Sequence, residues 1–195
     1  MNYVIPKFDH TEIQSFFTYW SDKYSERPME EFSYSPIIEK DKFSKTDLNL
    51  LFKWFNQDQF CQLKGKAFER KVVAKIETIN ALKSSFDQKV FDKHFARLNP
   101  EWKLFLLHCI SPSDFPILNE HIFKAFHFIK GGKDSSFCEE KMEIFYFERF
   151  VPYFQKLDLG ENFFQEFNKA LWTFGEYLEK NEGFKDIKIH LMDAA

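Results

Sequence analysis

An all-α fold is what this sequence predicts, and three observations carry the prediction. Apolar residues recur at the three- and four-residue intervals of a helix along most of the chain. The stretches between these patterns hold the Pro, Gly, Asn and Asp residues that start and stop helices. No stretch shows the strict apolar–polar alternation of a half-buried strand.

The elements follow in order. In "DHTEIQSFFTYWSDKY", residues 9–24, Ile13, Phe16, Phe17, Trp20 and Tyr24 lie at helical spacing. Asp9 and Glu12 make a capping-box pattern, in which each side chain answers a backbone N–H left unpaired in the first turn. "SERPMEEFSYSPIIEKDKF", residues 25–43, has two prolines and no period, and reads as a connection. A second helix fits "TDLNLLFKWFNQ", with Leu48, Leu51, Phe52 and Phe55 inward. A third, "KGKAFERKVVAKIETINALKS" over 64–84, sets Phe68, Val72, Ile76 and Ile79 on one stripe. "DQKVFDKHFAR" is a short fourth helix.

The fifth helix has a clear start. In "NPEWKLFLLHCIS", Asn99 suits the N-cap, Pro100 the first helical position, and Glu101 complements the helix dipole. "SPSDFPIL" ends it, because two closely spaced prolines cannot continue a helix. The sixth begins at Asn119, turns Ile122, Phe123, Phe126 and Ile129 inward, and stops at Gly131–Gly132. "SSFCEEKMEIFYFERFVPYFQKL" reads as a helix kinked near Pro152. "GENFFQEFNKALWTFGEYLEKNEG" places Phe164, Phe167, Leu171, Phe174 and Leu178 on one face. "FKDIKIHLMDAA" carries no clear pattern.

A chain of 195 residues suits one domain, or two small lobes sharing a core. Its 27 Phe rings are expected to fill the space between helices. No apolar run approaches the roughly 18 residues of a membrane span, and the first ten residues lack a signal-peptide pattern. Cys61, Cys109 and Cys138 are widely separated, which speaks against a disulfide framework, a zinc site or a metal cluster. The expectation is a reduced, cytoplasmic protein without cofactor or metal.

Net charge is −3, but its distribution is uneven. Residues 40–133 hold 17 Lys+Arg against 10 Asp+Glu, and the remainder holds 10 against 20. A basic middle between acidic ends has two readings: an electrostatic footprint for nucleic acid, or a solvated surface of uneven sign. Lys64, Lys66, Arg70, Lys71 and Lys75 make 64–84 the most basic helical stretch. No HExxH, P-loop, GxSxG or GxGxxG pattern is present.

The stretch "DFPILNEHIFKAF", residues 114–126, carries the most specific signal. A helix, a short proline-bearing turn and a helix opening at a polar cap resemble the helix-hairpin-helix DNA glycosylases, those similar to endonuclease III and the adenine glycosylases. Phe115, Ile117, Leu118, His121, Ile122, Phe123 and Lys124 fit the family's junction, and Trp102, His108, Pro116 and Ile117 fit an outline seen in bacterial relatives. The resemblance covers about residues 97–130 and implies a compact, two-lobed helical fold. It implies a DNA-binding protein, with base-excision repair or phage defence as the setting.

The sequence departs from that pattern at three places. Asn119 stands where the family carries its catalytic aspartate, and a neutral amide neither activates a nucleophile nor stabilises a sugar cation. Asn nevertheless caps a helix about as well as Asp. The hairpin glycines are absent from "ARLNPEW", and Glu101 stands where ungapped counting puts the nucleophilic lysine of the bifunctional members. The family's cluster cysteines are missing too.

The resemblance therefore implies a catalytically degenerate DNA binder that recognises duplex DNA, an altered base or an abasic site. Its candidate contacts are Lys64, Lys66, Arg70, Lys71, Lys75, Arg97, Asn99, Lys103 and Lys124. Trp54 and Trp102 are candidate walls of a base pocket. Asn119, Glu120 and His121 are the candidates for any remaining chemistry, with Glu120 as a displaced acid. Two alternatives stay open. One is an active glycosylase; the other is a protein-interaction module whose acidic surface engages a basic partner.

Overall fold

A computed structural model describes residues 10–24, 34–56, 62–130, 139–157 and 163–180. Every regular element among them is helical. The chain's contacts separate into two compact units. The middle unit is Ser25–Pro112; the terminal unit joins Met1–Tyr24 to Ser113–Ala195.

In the terminal unit, α1 is His10–Asp22. In the middle unit, α2 is Ser35–Ile38, a single turn within the segment expected to be only a connection. Helix α3, Lys45–Phe55, opens with a full capping box. The Ser44 side chain accepts from Asp47 N, and Asp47 accepts from the Ser44 backbone. Burial alone would raise the Asp47 carboxyl, but hydrogen bonds from Lys40 and Ser44 outweigh it and hold the group below its ordinary value.

The single helix expected over 64–84 is interrupted. It forms α4, Gln62–Lys71, then a 3-10 turn, Val73–Lys75, then α5, Ile76–Ser84. Val72 and Val73 are both buried, at 0% and 1% exposure. Consecutive residues on a straight helix point about 100° apart. The break falls at this pair, with Phe68 and Ile79 buried on either side of it. Val73 and Leu82 join the stripe, and Ile76 is only half-buried.

Helix α6, Gln88–Phe95, is capped by Asp87, whose carboxylate accepts from Val90 N at 3.0 Å. Helix α7, Pro100–Ile110, starts at Asn99 as the sequence indicates. All nine residues from Trp102 to Ile110 are buried, so α7 has no wet face after its first turn. Phe52, Phe68 and Trp102 meet edge-on or tilted, and Phe55 stacks on Phe105 with centroids 4.1 Å apart. Among the described residues of this unit, Phe43, Phe52, Phe68, Phe91, Phe95 and Phe105 are buried.

Helix α8, Glu120–Ile129, buries Ile122, Phe123, Phe126 and Ile129. Gly131 and Gly132 lie outside the described residues, as do Asp9 and the stretch 184–195. Helix α9, Glu139–Phe145, runs into a π turn, Tyr146–Phe150, and then into α10, Val151–Lys156. The kink expected near Pro152 takes this form. A proline cannot donate to the carbonyl four residues back, and a widened turn absorbs the mismatch.

Helix α11, Phe163–Lys180, packs against both α1 and α8. Phe17 meets Phe167 and Phe16 meets Phe174, each with centroids 5.2 Å apart. Gly175 sets the approach of α11 to α8: a Cβ there would lie 2.1 Å from the His121 carbonyl oxygen. Backbone atoms on both sides cannot yield cheaply, so Gly175→Ala is expected to force the helices apart. The expected cost is about 1–3 kcal/mol in chemical denaturation, as for other overpacked sites.

Candidate nucleic-acid interface and the junction at Asn119

Two groups of cations in the middle unit bear on the candidate interface. One group binds helix ends within the unit. Lys75 Nζ donates to the His94 carbonyl in the last turn of α6 and lies 5.1 Å from the Phe95 ring centre. Lys83 Nζ donates to the carbonyls of Ile38 and Cys109, at 3.0 and 3.2 Å, and sits 4.5 Å over the Phe43 ring. Terminal helix carbonyls lack intrahelical donors and carry the negative end of the dipole, so an ammonium is well placed there. Burial pushes the Lys83 ammonium below its ordinary value.

Lys103, a candidate DNA contact, is 9% exposed, with its ammonium 3.4 Å from Asp92 Oδ1. It belongs to the packing around α7. The neighbouring Cys109 is wholly enclosed, and burial pushes its thiol far up.

The second group faces solvent. Lys64, Lys66, Arg70 and Arg97 are exposed. Lys71 links two parts of this face: its Nζ donates to the Arg97 carbonyl at 2.9 Å. The end of the basic helix α4 therefore lies beside the turn that leads into α7. Asn99 is exposed in that turn, and its side chain accepts from Trp102 N at 3.3 Å. The arrangement brings together Arg70, Lys71, Arg97 and Asn99, far apart in sequence and close in space.

The two candidate stacking tryptophans are inside the middle unit. Trp102 is 6% exposed, and its indole N–H donates to Asn56 Oδ1 at 3.2 Å. Trp54 is 7% exposed and stacks on Tyr34, centroids 4.2 Å apart. Its indole nitrogen is buried without a partner. Tyr34 OH lies 2.7 Å from Nε2 of the fully enclosed His108. These rings hold the unit together, and neither indole presents a face to solvent that a base could stack on.

The junction at Asn119 lies in the terminal unit. The extended stretch before it is held from two sides: Ile117 N donates to Asn168 Oδ1 at 3.0 Å, and Tyr146 OH donates to the Pro116 carbonyl at 2.7 Å. Asn119 has extended backbone, and its Oδ1 accepts from Ile122 N at 2.9 Å. Its oxygen is thus the N-cap of α8, and its Nδ2 is buried without a partner.

Glu120 is exposed, with its carboxylate 3.1 Å from Lys124. Lys124 also reaches Glu179 on α11 at 3.2 Å. Its own burial would lower the Lys124 ammonium, but the hydrogen bonds it donates to both glutamates outweigh that and hold it above its ordinary value. His121 Nδ1 lies 3.1 Å from Glu179 Oε2, off the line of an aligned hydrogen bond. Its ring rests 5.3 Å from that of Trp172. Asn119, Glu120, His121 and Lys124 are therefore brought together, as elements of a cap and a helix–helix ion network.

Sequence reasoning did not single out Lys83 and Asn168, which the structure shows bonded to backbone groups. The His127 ring stacks on Phe145, centroids 5.4 Å apart, and burial together with the nearby Arg149 lowers its affinity for a proton. Among the described residues, no group of His, Cys, Asp or Glu could hold a metal ion, and no helix is long and apolar enough to cross a membrane. Comparison with protein families, curated proteins and solved structures gave no match.

Two expectations follow. Asn119→Ala removes the α8 cap and is expected to cost about 1 kcal/mol of stability, read by chemical denaturation. The second concerns acid. Above the ordinary His value of 6.5, His127 is neutral whether the chain is folded or unfolded. As pH falls through 6.5 the unfolded chain takes up the proton first, so stability falls towards the lower folded-state value. His127→Gln is expected to flatten that part of the stability–pH curve, measured by denaturation between neutral and mildly acid pH.

Proposed function

We propose that this chain binds duplex DNA through the backbone phosphates, using the cationic face of its middle unit, and that it carries out no base excision. The observation that carries this reading is the bond from Lys71 to the Arg97 carbonyl. It sets the end of α4 beside the turn at Arg97, and Lys64, Lys66, Arg70 and Arg97 on these two segments are exposed. Ammonium and guanidinium groups on one face are the electrostatic footprint of phosphate binding, in which counterions are released from the duplex. The resemblance of residues 97–130 to a helix-hairpin-helix glycosylase favours the same ligand, and it aligns the turn at 97–99, without the family's glycines, with the phosphate-binding hairpin.

The reading leaves out part of the sequence-based candidate set. Lys75, Lys103 and Lys124 are engaged by carbonyls or carboxylates. Trp54 and Trp102 are core. The oxygen of Asn119 is committed to Ile122, and Glu120 is exposed against a lysine. None of these favours a base pocket or a displaced acid. A setting in phage defence or repair, and a cytoplasmic location, belong to the same proposal.

A second reading has one observation in its favour. Counted over the whole sequence, the middle unit holds 15 Lys+Arg against 12 Asp+Glu, and the terminal unit 12 against 18. A basic protein partner would suit the terminal unit.

Binding of the full chain to an intact duplex and to an abasic duplex, across a salt series, separates these readings. The expected result is binding that weakens linearly in log–log form with salt and differs little between the two duplexes. The double variant Arg70→Glu with Arg97→Glu is expected to lose about tenfold or more at low salt, with a slope shallower by about two. Absence of binding at low salt overturns the proposal and leaves the protein-partner reading.

A further inference from the structure

We propose that the DNA-contacting surface extends from the turn at 96–99 along helix α6, where Lys89, Lys93 and Arg97 form a phosphate-binding ridge that takes a duplex in preference to a single strand. The inference rests on the duplex-binding reading above. It adds Lys89 and Lys93, a direction along the surface and the form of the nucleic acid.

Lys89 and Lys93 are four residues apart on Gln88–Phe95, so they stand one above the other on one face of the helix. Arg97 follows four residues later, in the turn that closes α6, where Leu98 N donates to the Phe95 carbonyl at 3.0 Å. All three side chains are exposed. Phe91 and Phe95, at 0% and 1% exposure, hold the opposite side of α6 in the core. Two lysines fix the far end of the ridge: Lys75 donates to the His94 carbonyl and Lys71 to the Arg97 carbonyl. The ridge therefore ends beside the last turn of α4.

These charges oppose the helix that carries them. Like charges four residues apart destabilise a helix. Lys89 also lies in the first turn, where the dipole favours an acidic residue and α6 has none. Among the described residues, no ion pair or hydrogen bond engages the side chain of Lys89, Lys93 or Arg97. The carboxylate of α6 itself, Asp92, is taken by Gln88 at 3.0 Å and by Lys103 at 3.4 Å. Asp87 is taken by its cap bond to Val90 N. Local choices that oppose a fold without compensation inside it point to function. A line of phosphates supplies the compensation from outside.

The rings decide which nucleic acid. Proteins that grip single strands offer aromatic faces on which bases stack. Over residues 62–71 and 87–99 the Phe, Tyr and Trp residues are Phe68, Phe91 and Phe95, all buried. The same residues hold seven Lys+Arg against three Asp+Glu. A surface with cations and no ring to stack on binds the sugar–phosphate backbone alone, and a duplex presents that backbone at the higher charge density.

The test uses the full-length protein with a short labelled duplex of mixed sequence, and with one of its strands alone, across a salt series. Each variant is also melted. Lys89→Gln with Lys93→Gln is expected to weaken duplex binding about tenfold at low salt and to make the salt slope shallower by about two. The same change of charge at the exposed Lys45 and Lys53 of α3, each to Gln, is expected to cost about twofold or less. Lys89→Glu is expected to bind more weakly yet melt no lower than wild type, because a glutamate there suits the dipole and pairs with Lys93. The strand alone is expected to bind about threefold or more weakly than the duplex. If the α3 variant loses as much as the ridge variant, the ridge is wrong and the duplex-binding reading stands. The same holds if the ridge variant binds as wild type does while Arg70→Glu with Arg97→Glu does not. A strand that binds as tightly as the duplex overturns the preference for a duplex. If wild type shows no salt-dependent binding, both readings fall together.

Discussion

A helix with no wet face constrains everything around it. Residues Trp102–Ile110 of α7 are all buried, so the chain must pack around this helix on every side. The rings of Phe52, Phe55 and Phe68 cover its sides, and α5 packs along it. Its last carbonyls cannot reach water freely and need donors from neighbouring elements. Lys83 meets part of that need at Cys109, and the same ammonium ties down Ile38 at the end of α2. A 3-10 turn at Val73–Lys75 separates α4 from α5, with Val72 and Val73 both buried beside it.

This constraint also sorts the charges. A lysine near the buried helix is drawn to a carbonyl or a carboxylate, because an unpaired ammonium there loses hydration without recompense. Lys75, Lys83 and Lys103 are of this kind. Among the cations that face solvent are those on α4 and in the turn before α7, two segments that Lys71 links. In the terminal unit, Asn168 and Tyr146 fix the stretch before α8, and Asn119 closes the helix start. An asparagine at that place serves the fold fully, and the charge that an aspartate would bring is not needed for it.

Much of the fold was legible in the sequence because helix ends carry their own chemistry. Asn99–Pro100 and Asn119 were readable as starts, and both side chains make the cap bonds expected of them. The inward residues of α8 were readable from spacing alone. The break at Val72 was not, because Phe68, Val72, Ile76 and Ile79 satisfy one continuous stripe, and only the packing partners decide that Val73 must also be buried. The widened turn at Tyr146–Phe150 was legible only as a kink, because Pro152 shows that a bond is lost and does not show how the chain absorbs the loss. The basic residues were the least legible. Lysines that bind carbonyls and lysines that face water are the same letters, and the carbonyls they reach lie up to 45 residues away in sequence. Gly175 makes the same point, since the backbone a Cβ there would strike belongs to a residue 54 positions away.

The central claim is that the outer surface of α4 and the turn at 96–99 are where this protein meets DNA. Amide hydrogen exchange of the full chain with and without a saturating duplex, at low salt, tests it directly. The account expects slower exchange within residues 62–71 and 96–102 on adding the duplex, and no change over 119–124. Protection centred on 119–124, with none on α4, would contradict it and return the junction at Asn119 to the centre of the molecule's function.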